Sequence, residues 1–227
     1  MSKILIAIVL GFCLLACTEK SKENRKSVLT PVVKRKLIAE FTQMADNDQA
    51  YRSFISFGTL NKRLIDSVSK LPTIEQINFQ TSHQSELSQT EIDSLWVLQT
   101  QIDFENTYRL QELIEAYGWI STTQLDSAVD PMIFLFHTPK ETIEKTQELL
   151  FQEVKAQRME ATKFAMYVDN MRKKAFGKNQ LYGTGDEFDP KTNTIVPPLI
   201  DNIDSTNSER TKIGLAKLKI GAYRTSK

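Results

Sequence analysis

The feature that most constrains this chain is an apolar run at its start that ends in a cysteine. The run covers residues 4–16, follows Lys3 and contains Cys13, and Cys17 comes directly after it. One positive charge before a short apolar stretch is typical of an export signal, which is removed. The chain has only 2 cysteines, and removal of the signal takes away Cys13. The one cysteine that remains cannot form an internal disulfide. The exported domain must therefore be stabilised by burying a hydrophobic core.

The end of the run also predicts how the protein is anchored. Leu14, Ala16 and Cys17 resemble the cleavage site of bacterial lipoproteins, in which the cysteine is lipidated. We therefore predict a signal peptide at 1–16, a lipidated Cys17 with a flexible tether at 17–30, and a membrane as partner. An ordinary secretory signal is the alternative. Thr18, where Asp would favour inner-membrane retention, favours the outer membrane of the cell envelope if the host is Gram-negative.

The charge balance argues against a nucleic-acid partner. Without Lys3, the basic residues of the chain equal its 28 acidic ones, and no excess of positive charge remains for phosphates. Residues 31–227 have the length of one domain, and their few glycines favour helices over a turn-rich β fold. We predict a mainly α domain of about six or seven helices, with a small β-hairpin or extended arm near the C-terminus.

Local signals place most of these helices. Thr30-Pro31 is a cap and first-turn proline, and Ser88 with Glu91 is a capping box for a long helix that ends at Gly118. Further caps are predicted at Asp130-Pro131, at Thr138 to Glu141 and at Thr206 to Glu209. Helices are also predicted at 60–70 and 160–175. Polar residues 73–87 are predicted to be a loop, and segments 180–184 and 194–196 are predicted to flank the hairpin turn.

Familiar reaction motifs are absent. The sequence contains no H-E-x-x-H, G-x-S-x-G or phosphate-binding P-loop, and we predict neither a metal nor a cofactor. His137 follows an apolar run and is a candidate general acid or base. The alternative is a histidine that interacts with a helix C-terminus or is satisfied in the core.

Two further groups of polar residues are candidates. Asp48 and Arg52 are four residues apart, beside Gln49, so on a helix they share a face and can pair. Asp103 and Asn106 interrupt an apolar helical face. Each group can serve a ligand, or it can be structural, as a solvated ion pair or as bonds to a neighbouring backbone.

Taken together, these pieces resemble a bacterial family of unknown function, domain of unknown function number 6624. The resemblance covers roughly residues 41–223. Its matching pieces, taken by order and spacing, are Asp48-Gln49-x-x-Arg52, Asp103-x-x-Asn106, Tyr117-Gly118-Trp119, His137, Asp169, Gln180-Leu-Tyr182-Gly-Thr184, Asp201, Asp204, Arg210, Gly214-Leu215 and Tyr223. It implies that His137, Asp48, Arg52 and Asp103 converge in one cleft. It also makes Gln49, Asn106, Asp169, Gln180, Tyr182 and Thr184 candidate ligand-binding residues.

The chain departs from that family's pattern at three places. Thr138-Pro139 stands where the family tends to have an acidic residue, Asn170 where it has Arg, and Gly185 where it often has Gln. If the family has an active site, this member has therefore lost part of it.

Two functions are compatible with these observations. The first, which we favour from sequence, is a binding or interaction module of the envelope for a small polar ligand or another envelope protein. The second is a hydrolase-like enzyme in which His137 is the general base, Asp48 or Asp103 orients it, and Arg52 stabilises an anion. A His137 in a concave pocket beside a carboxylate would favour the enzyme.

Overall fold

The chain folds as a mainly α domain, as predicted. The structure is a computed structural model and describes residues 26–189, 191–192 and 194–225. The helices are α1 (Pro31–Ala50), α2 (Arg52–Phe57), α3 (Lys62–Val68), α4 (Thr73–Ser82), α5 (Gln89–Tyr117), α6 (Thr122–Leu125), α7 (Met132–Leu135), α8 (Ile143–Lys155), α9 (Ala161–Phe176) and α10 (Ile203–Lys212). A 3-10 turn at Lys140–Thr142 precedes α8.

The longest helix, α5, is the central element. The predicted capping box is present at its start, where the Ser88 hydroxyl accepts from the Glu91 N–H and the Glu91 carboxylate accepts from Ser88. Gly118 ends it with a φ of 80°. Its Leu110, Leu113 and Ile114 are buried in the main core with α1, α7, α8 and α9. Leu110 and Ile114, four apart, lie on the same helix face, toward that core.

A side chain of α5 separates α1 from α2. The carbonyl of Asp48 accepts a hydrogen bond from Gln99 Nε2 (3.0 Å), and Gln99 Oε1 accepts from the N–H of Arg52 (3.1 Å) and of Tyr51 (3.3 Å). A continuous helix would join that carbonyl to that Arg52 N–H. The inserted amide satisfies both groups and allows the chain to bend.

A smaller cluster forms beside the main core. Phe57, Ile65 and Val68 are buried together, and Phe79 of α4 packs against them. Residues 73–82 are thus helical, and the prediction of a loop there was wrong. The apolar contact of Phe79 stabilises this helix, which its largely polar sequence does not predict.

The C-terminal part contains short strands. Strand β1 (Glu187–Asp189) pairs antiparallel with β2 (Thr194–Val196), which confirms the predicted hairpin. Its first strand begins at Glu187, later than the predicted segment 180–184. A second pair, parallel, joins β3 (Leu199–Ile200) to β4 (Arg224–Thr225). That pairing links distant parts of the chain and has no local sequence signal.

Two predicted capping boxes are not formed. The Thr138 hydroxyl donates to the carbonyl of Leu135 (2.8 Å), and so it does not cap the following turn. Helix α10 begins at Ile203 with Asn202 as its cap, and Thr206 is a buried residue inside it. In contrast, Thr30, Asp130 and Gly177 act at helix ends as predicted.

The last part of the predicted tether is attached to the domain. Lys26 Nζ donates to the carbonyls of Ile114 and Glu115 (both 2.9 Å), and the Ser27 N–H donates to Ala116 (2.7 Å). The carbonyls of Glu115 and Ala116 are among those that a helix C-terminus leaves without a helical partner, and these bonds satisfy them. Residues 26 and 27, inside the predicted tether, thus contact the end of α5. The predicted signal and Cys17 lie outside the described residues. Among the helices described, none is long and apolar enough to span a bilayer.

Candidate functional site

The residue pair at the centre of the candidate site is Asp48 with His137. Asp48 lies near the end of α1 and is fully buried, and His137 follows α7 with 18 % of its side chain exposed. Asp48 Oδ1 is 2.9 Å from His137 Nδ1. The other oxygen, Oδ2, accepts from Gln49 Nε2 (2.6 Å). The buried carboxylate therefore fixes the orientation of the imidazole ring.

Nitrogen Nε2 of His137 is the ring atom available to exchange a proton, because Nδ1 faces Asp48. His137 lines a cleft, and Nε2 forms no hydrogen bond with another described residue. When Nδ1 carries the proton that Asp48 accepts, Nε2 has a free lone pair. The dyad is thus arranged to take a proton from a group in the cleft.

A second ion pair lies beside the dyad. Arg52 Nη2 donates to Asp103 Oδ1, and Gln99 Nε2 donates to the same oxygen (3.1 Å). Arg52 Nε lies 3.9 Å from Asp48 Oδ2, which is too long for a hydrogen bond, and this buried N–H has no partner among the described residues. Arg52 therefore bridges the two carboxylates electrostatically. The predicted convergence of His137, Asp48, Arg52 and Asp103 is confirmed.

The cleft has a volume of about 380 Å³. Its aromatic walls are Trp96, Phe104 and Phe136, and Arg52 stacks over the Trp96 ring at 6.0 Å. A cleft of this size, with apolar walls and a few polar groups, suits a small molecule or the end of a larger one.

A lysine that the sequence analysis did not single out completes the cleft. Lys174 of α9 lines it, and Nζ donates to the carbonyl of Phe136 (2.9 Å). Burial lowers the pKa of Lys174, and the positive charge of Arg52 lowers it further, although Asp103 and Asp48 oppose the change. A partly desolvated ammonium interacts strongly with an anion.

The same cluster offers three atoms of the kind that bind metals. Asp48, Asp103 and His137 each place one such atom within 4.8 Å of the others. However, Asp48 Oδ1 faces His137, and the Arg52 guanidinium is paired with Asp103. A metal ion would have to displace Arg52, since two like charges would otherwise share one site.

Two of the candidate ligand-binding residues have structural contacts. Gln49 supports Asp48, as described above. Asn106 is buried, and its amide donates to the carbonyl of Met44 in α1 (3.3 Å). Neither residue lines the cleft.

The remaining four candidates form a separate cluster. Asp169 Oδ1 accepts from the N–H of Leu181 (2.7 Å) and Tyr182 (2.8 Å), and Oδ2 accepts from the N–H (3.0 Å) and hydroxyl (2.9 Å) of Thr184. Gln180 closes the same loop by bonding both backbone groups of Gly185. Burial raises the pKa of Asp169, and these hydrogen bonds oppose the rise. The cluster fixes a loop and lies apart from the residues that line the His137 cleft.

Gln99 and Lys174 are the site residues that sequence reasoning missed. Gln99 lies one turn before Asp103 on the same face of α5, so the polar stripe could have been extended back to it. Lys174 has no local signal, because only the packing of α9 beside α7 brings it to His137.

Comparison of the chain with protein-family models, with curated proteins and with solved structures finds no match. The family resemblance of residues 41–223 therefore stays a prediction.

Proposed function

We propose that this protein is a lipid-anchored envelope enzyme of the hydrolase type. The observation that carries the proposal is the buried Asp48 held 2.9 Å from Nδ1 of His137, a residue that lines the cleft. This is the arrangement in which an imidazole acts as a general base.

In the proposed reaction, His137 Nε2 takes a proton from a water molecule while the water oxygen bonds to an electrophilic carbon or phosphorus of the substrate. Asp48 stabilises the imidazolium that forms, since its buried charge is already at Nδ1. The imidazolium then returns the proton to the leaving group. No serine or cysteine is needed, because water is the nucleophile.

We assign stabilisation of the negative charge that develops on the substrate to Lys174, and no longer to Arg52. Arg52 is engaged by Asp103, whereas the bond of Lys174 to a neutral carbonyl leaves its charge unneutralised. An ammonium that a hydrogen bond already holds at the cleft wall can stabilise a developing oxyanion without first being reoriented. Arg52 and Asp103 would instead hold α2 against α5 and position Asp48.

The test is hydrolysis of a panel of nitrophenyl esters and nitrophenyl phosphates by the fragment 18–227. His137→Ala should lower the rate at least about hundredfold, which is typical for loss of a general base. Lys174→Met, which keeps the length of the side chain, should lower kcat with little change of KM. His83→Gln is the matched control, because His83 stacks on Phe79 away from the cleft.

Ring nitrogen NMR provides a readout that does not need a substrate. The chain has 2 histidines, so the His83→Gln spectrum contains the His137 ring alone. We expect His137 with its proton on Nδ1, and Asp48→Asn should redistribute it between the two nitrogens. A protein that hydrolyses nothing on the panel, or a His137→Ala variant as active as the parent, would contradict the enzyme.

The binding module is the second candidate, and one observation favours it. Asp103 accepts hydrogen bonds from both Arg52 and Gln99, so much of the polar set is occupied internally. In that case the cleft would bind a small polar ligand without converting it. Thermal unfolding distinguishes a structural His137, whose replacement by Ala lowers the melting temperature, from one retained for a ligand.

The anchor is tested separately. Cys17→Ser should move the full-length protein from the membrane fraction to the soluble fraction and abolish acyl labelling, since two or more acyl chains are needed for stable attachment. The Cys13→Ser variant is the control, because that residue lies inside the predicted signal. Membrane attachment that survives Cys17→Ser would refute the lipoprotein assignment.

A further inference from the structure

A larger cavity adjoins the His137 cleft. Its volume is about 1040 Å³, at the upper end of ligand pockets. It is bordered by α8, α9, α10 and the loop that Asp169 fixes. Lys140 and Glu141 line both cavities, so the two are neighbours. We call it the acidic cavity for its lining residues Glu141, Glu144, Glu148 and Glu209.

Carboxylates outnumber cations among the residues that line the acidic cavity. Within the described part of the chain, Glu141, Glu144 and Glu148 form no ion pair. Glu209 is paired with Lys212 of the same helix. Among the lining residues, Lys140 is the one cation against four carboxylates. A cavity with this balance attracts cations and repels anions.

A buried phenol provides an observation that does not depend on those carboxylates. Tyr182 lines the cavity with only 5 % of the residue exposed. Its ring packs edge-on against Phe164, and among the described residues no hydrogen bond reaches its hydroxyl, which is accessible rather than fully enclosed. Burial raises the pKa of Tyr182 to about 12, and Glu209 and Asp169 add to the rise. The neutral hydroxyl is thus available to a ligand that fills the cavity.

The aromatic walls suit the same kind of ligand. Phe151, Phe164 and Phe176 line the cavity. Two of these rings already attract cations of the protein, Lys155 at 4.6 Å from Phe151, and Lys140 and Lys178 at 5.3 and 5.9 Å from Phe176. Ring faces beside carboxylates bind alkylammonium groups by cation–π attraction and by contact with their methylenes.

We propose that the acidic cavity is a binding site for a small organic cation with an apolar body, such as an alkyl diamine. The carboxylates of Glu144 and Glu148, one turn apart on α8, bind the ammonium groups, and the aromatic rings cover the methylenes. The Tyr182 hydroxyl accepts a hydrogen bond from an ammonium. The site does not depend on the proposed hydrolase activity.

The test is titration calorimetry of the fragment 18–227 with hexamethylenediamine, with hexanediol as a neutral probe of the same length. We expect saturable binding of the diamine, and about tenfold weaker or no binding of the diol. The double variant Glu144→Gln and Glu148→Gln keeps the shape of two exposed side chains and should weaken diamine binding at least about fivefold. The matched control is Glu75→Gln, an exposed glutamate on α4 that does not line the cavity, and it should bind like the parent.

Tyr182→Phe separates a built site from general charge attraction. It keeps the ring against Phe164 and removes only the unpartnered hydroxyl, so it should fold and should bind the diamine about threefold or more weakly. Three results would overturn the proposal: no binding of the diamine at about 5 mM, equal binding of diamine and diol, or unchanged binding by both the double glutamate variant and Tyr182→Phe.

Discussion

At the scale of single residues, this domain repeatedly uses a buried carboxylate to hold groups that are distant in sequence. Asp48 fixes His137 and Asp169 fixes the 181–184 loop. Such a carboxylate is stabilising only while its partners donate to it, since a buried unpaired charge is costly. An acid is therefore required at each of these positions, and replacing it by the corresponding amide should destabilise the fold.

Asp169→Asn tests this directly. One end of the asparagine amide would present an NH₂ group to two N–H donors or to Thr184, so at least one pair of donors loses its acceptor. We expect a loss of about 2 kcal/mol in the free energy of unfolding, measured by urea denaturation. Asp186→Asn, an exposed position in the same segment, should change it by less than about 0.5 kcal/mol. Equal losses in the two variants would contradict the role of Asp169.

The sequence indicated part of the site at this scale and not the rest. Asp48 and Arg52 could be paired because their spacing is local, although the chain bends between them. His137 and Asp103 were candidates from their own neighbours, and the family resemblance implied that all four converge. Gln99 and Lys174 were missed because their roles depend on which helices pack together. The pairing of Arg52 with Asp103, across α2 and α5, likewise changed its expected role.

At the scale of elements, helix ends with strong local chemistry were predictable. The start of α1 at Pro31, the ends of α5 at Gly118 and α9 at Gly177, and the Ser88 capping box all follow from neighbouring residues. The break between α1 and α2 was not predictable, because its cause is Gln99 on another helix. The same tertiary origin explains α4, whose apolar contact is made by Phe79.

Gln99→Glu should weaken that break. Glutamate can still accept from the N–H groups of Tyr51 and Arg52, but it cannot donate to the Asp48 carbonyl, and it places a second negative charge beside Asp103. We expect a loss of about 2–3 kcal/mol in unfolding free energy, because a fully buried group loses two hydrogen bonds. Gln101→Glu, an exposed position on the same helix, should lower the unfolding free energy by only about a few tenths of a kcal/mol. If Gln99→Glu lowered the unfolding free energy no more than Gln101→Glu, the junction of α1 and α2 would not need the inserted amide.

Two glycines at helix ends separate backbone strain from crowding. Gly118 and Gly177 have φ values of 80° and 59°, so alanine is strained at both. A Cβ at Gly177 would meet nothing within 4 Å, and Gly177→Ala should cost about 1–2 kcal/mol from strain alone. A Cβ at Gly118 would lie 2.8 Å from Glu153 Oε2 and from Arg158 Nε. Gly118→Ala should therefore lower the melting temperature clearly more than Gly177→Ala, and similar losses would rule out a tight contact there.

At the scale of the whole molecule, one glutamate ties together three separate parts of the chain. Glu153 of α8 is almost fully buried and accepts two hydrogen bonds from Arg158 (2.6 and 2.9 Å). It also accepts from the N–H of Trp119 (2.9 Å), just after α5, and lies 3.6 Å from Lys26 Nζ. The N-terminal segment, the end of α5 and the turn after α8 thus meet at one carboxylate.

This junction predicts how stability depends on pH. Burial raises the pKa of Glu153, but the hydrogen bonds from Arg158 and Trp119 and the charge of Lys26 outweigh burial, so its pKa lies below the ordinary value of 4.5. A carboxyl whose pKa is lowered by folding contributes stability that is complete above the unfolded pKa and lost as pH falls through the folded one. Glu153→Gln should therefore be less stable than the parent near pH 7, by about 2 kcal/mol.

The difference between parent and Glu153→Gln should shrink as the pH falls below about 4.5, because the parent's carboxyl becomes protonated as well. Urea unfolding at a series of pH values measures it, with the exposed Glu105→Gln as a variant that should follow the parent throughout. A constant difference across the series would mean that charge at Glu153 is not what holds the junction. A difference that vanishes in acid would mean that ionisation of this carboxylate couples the N-terminal segment, next to the predicted membrane anchor, to the domain.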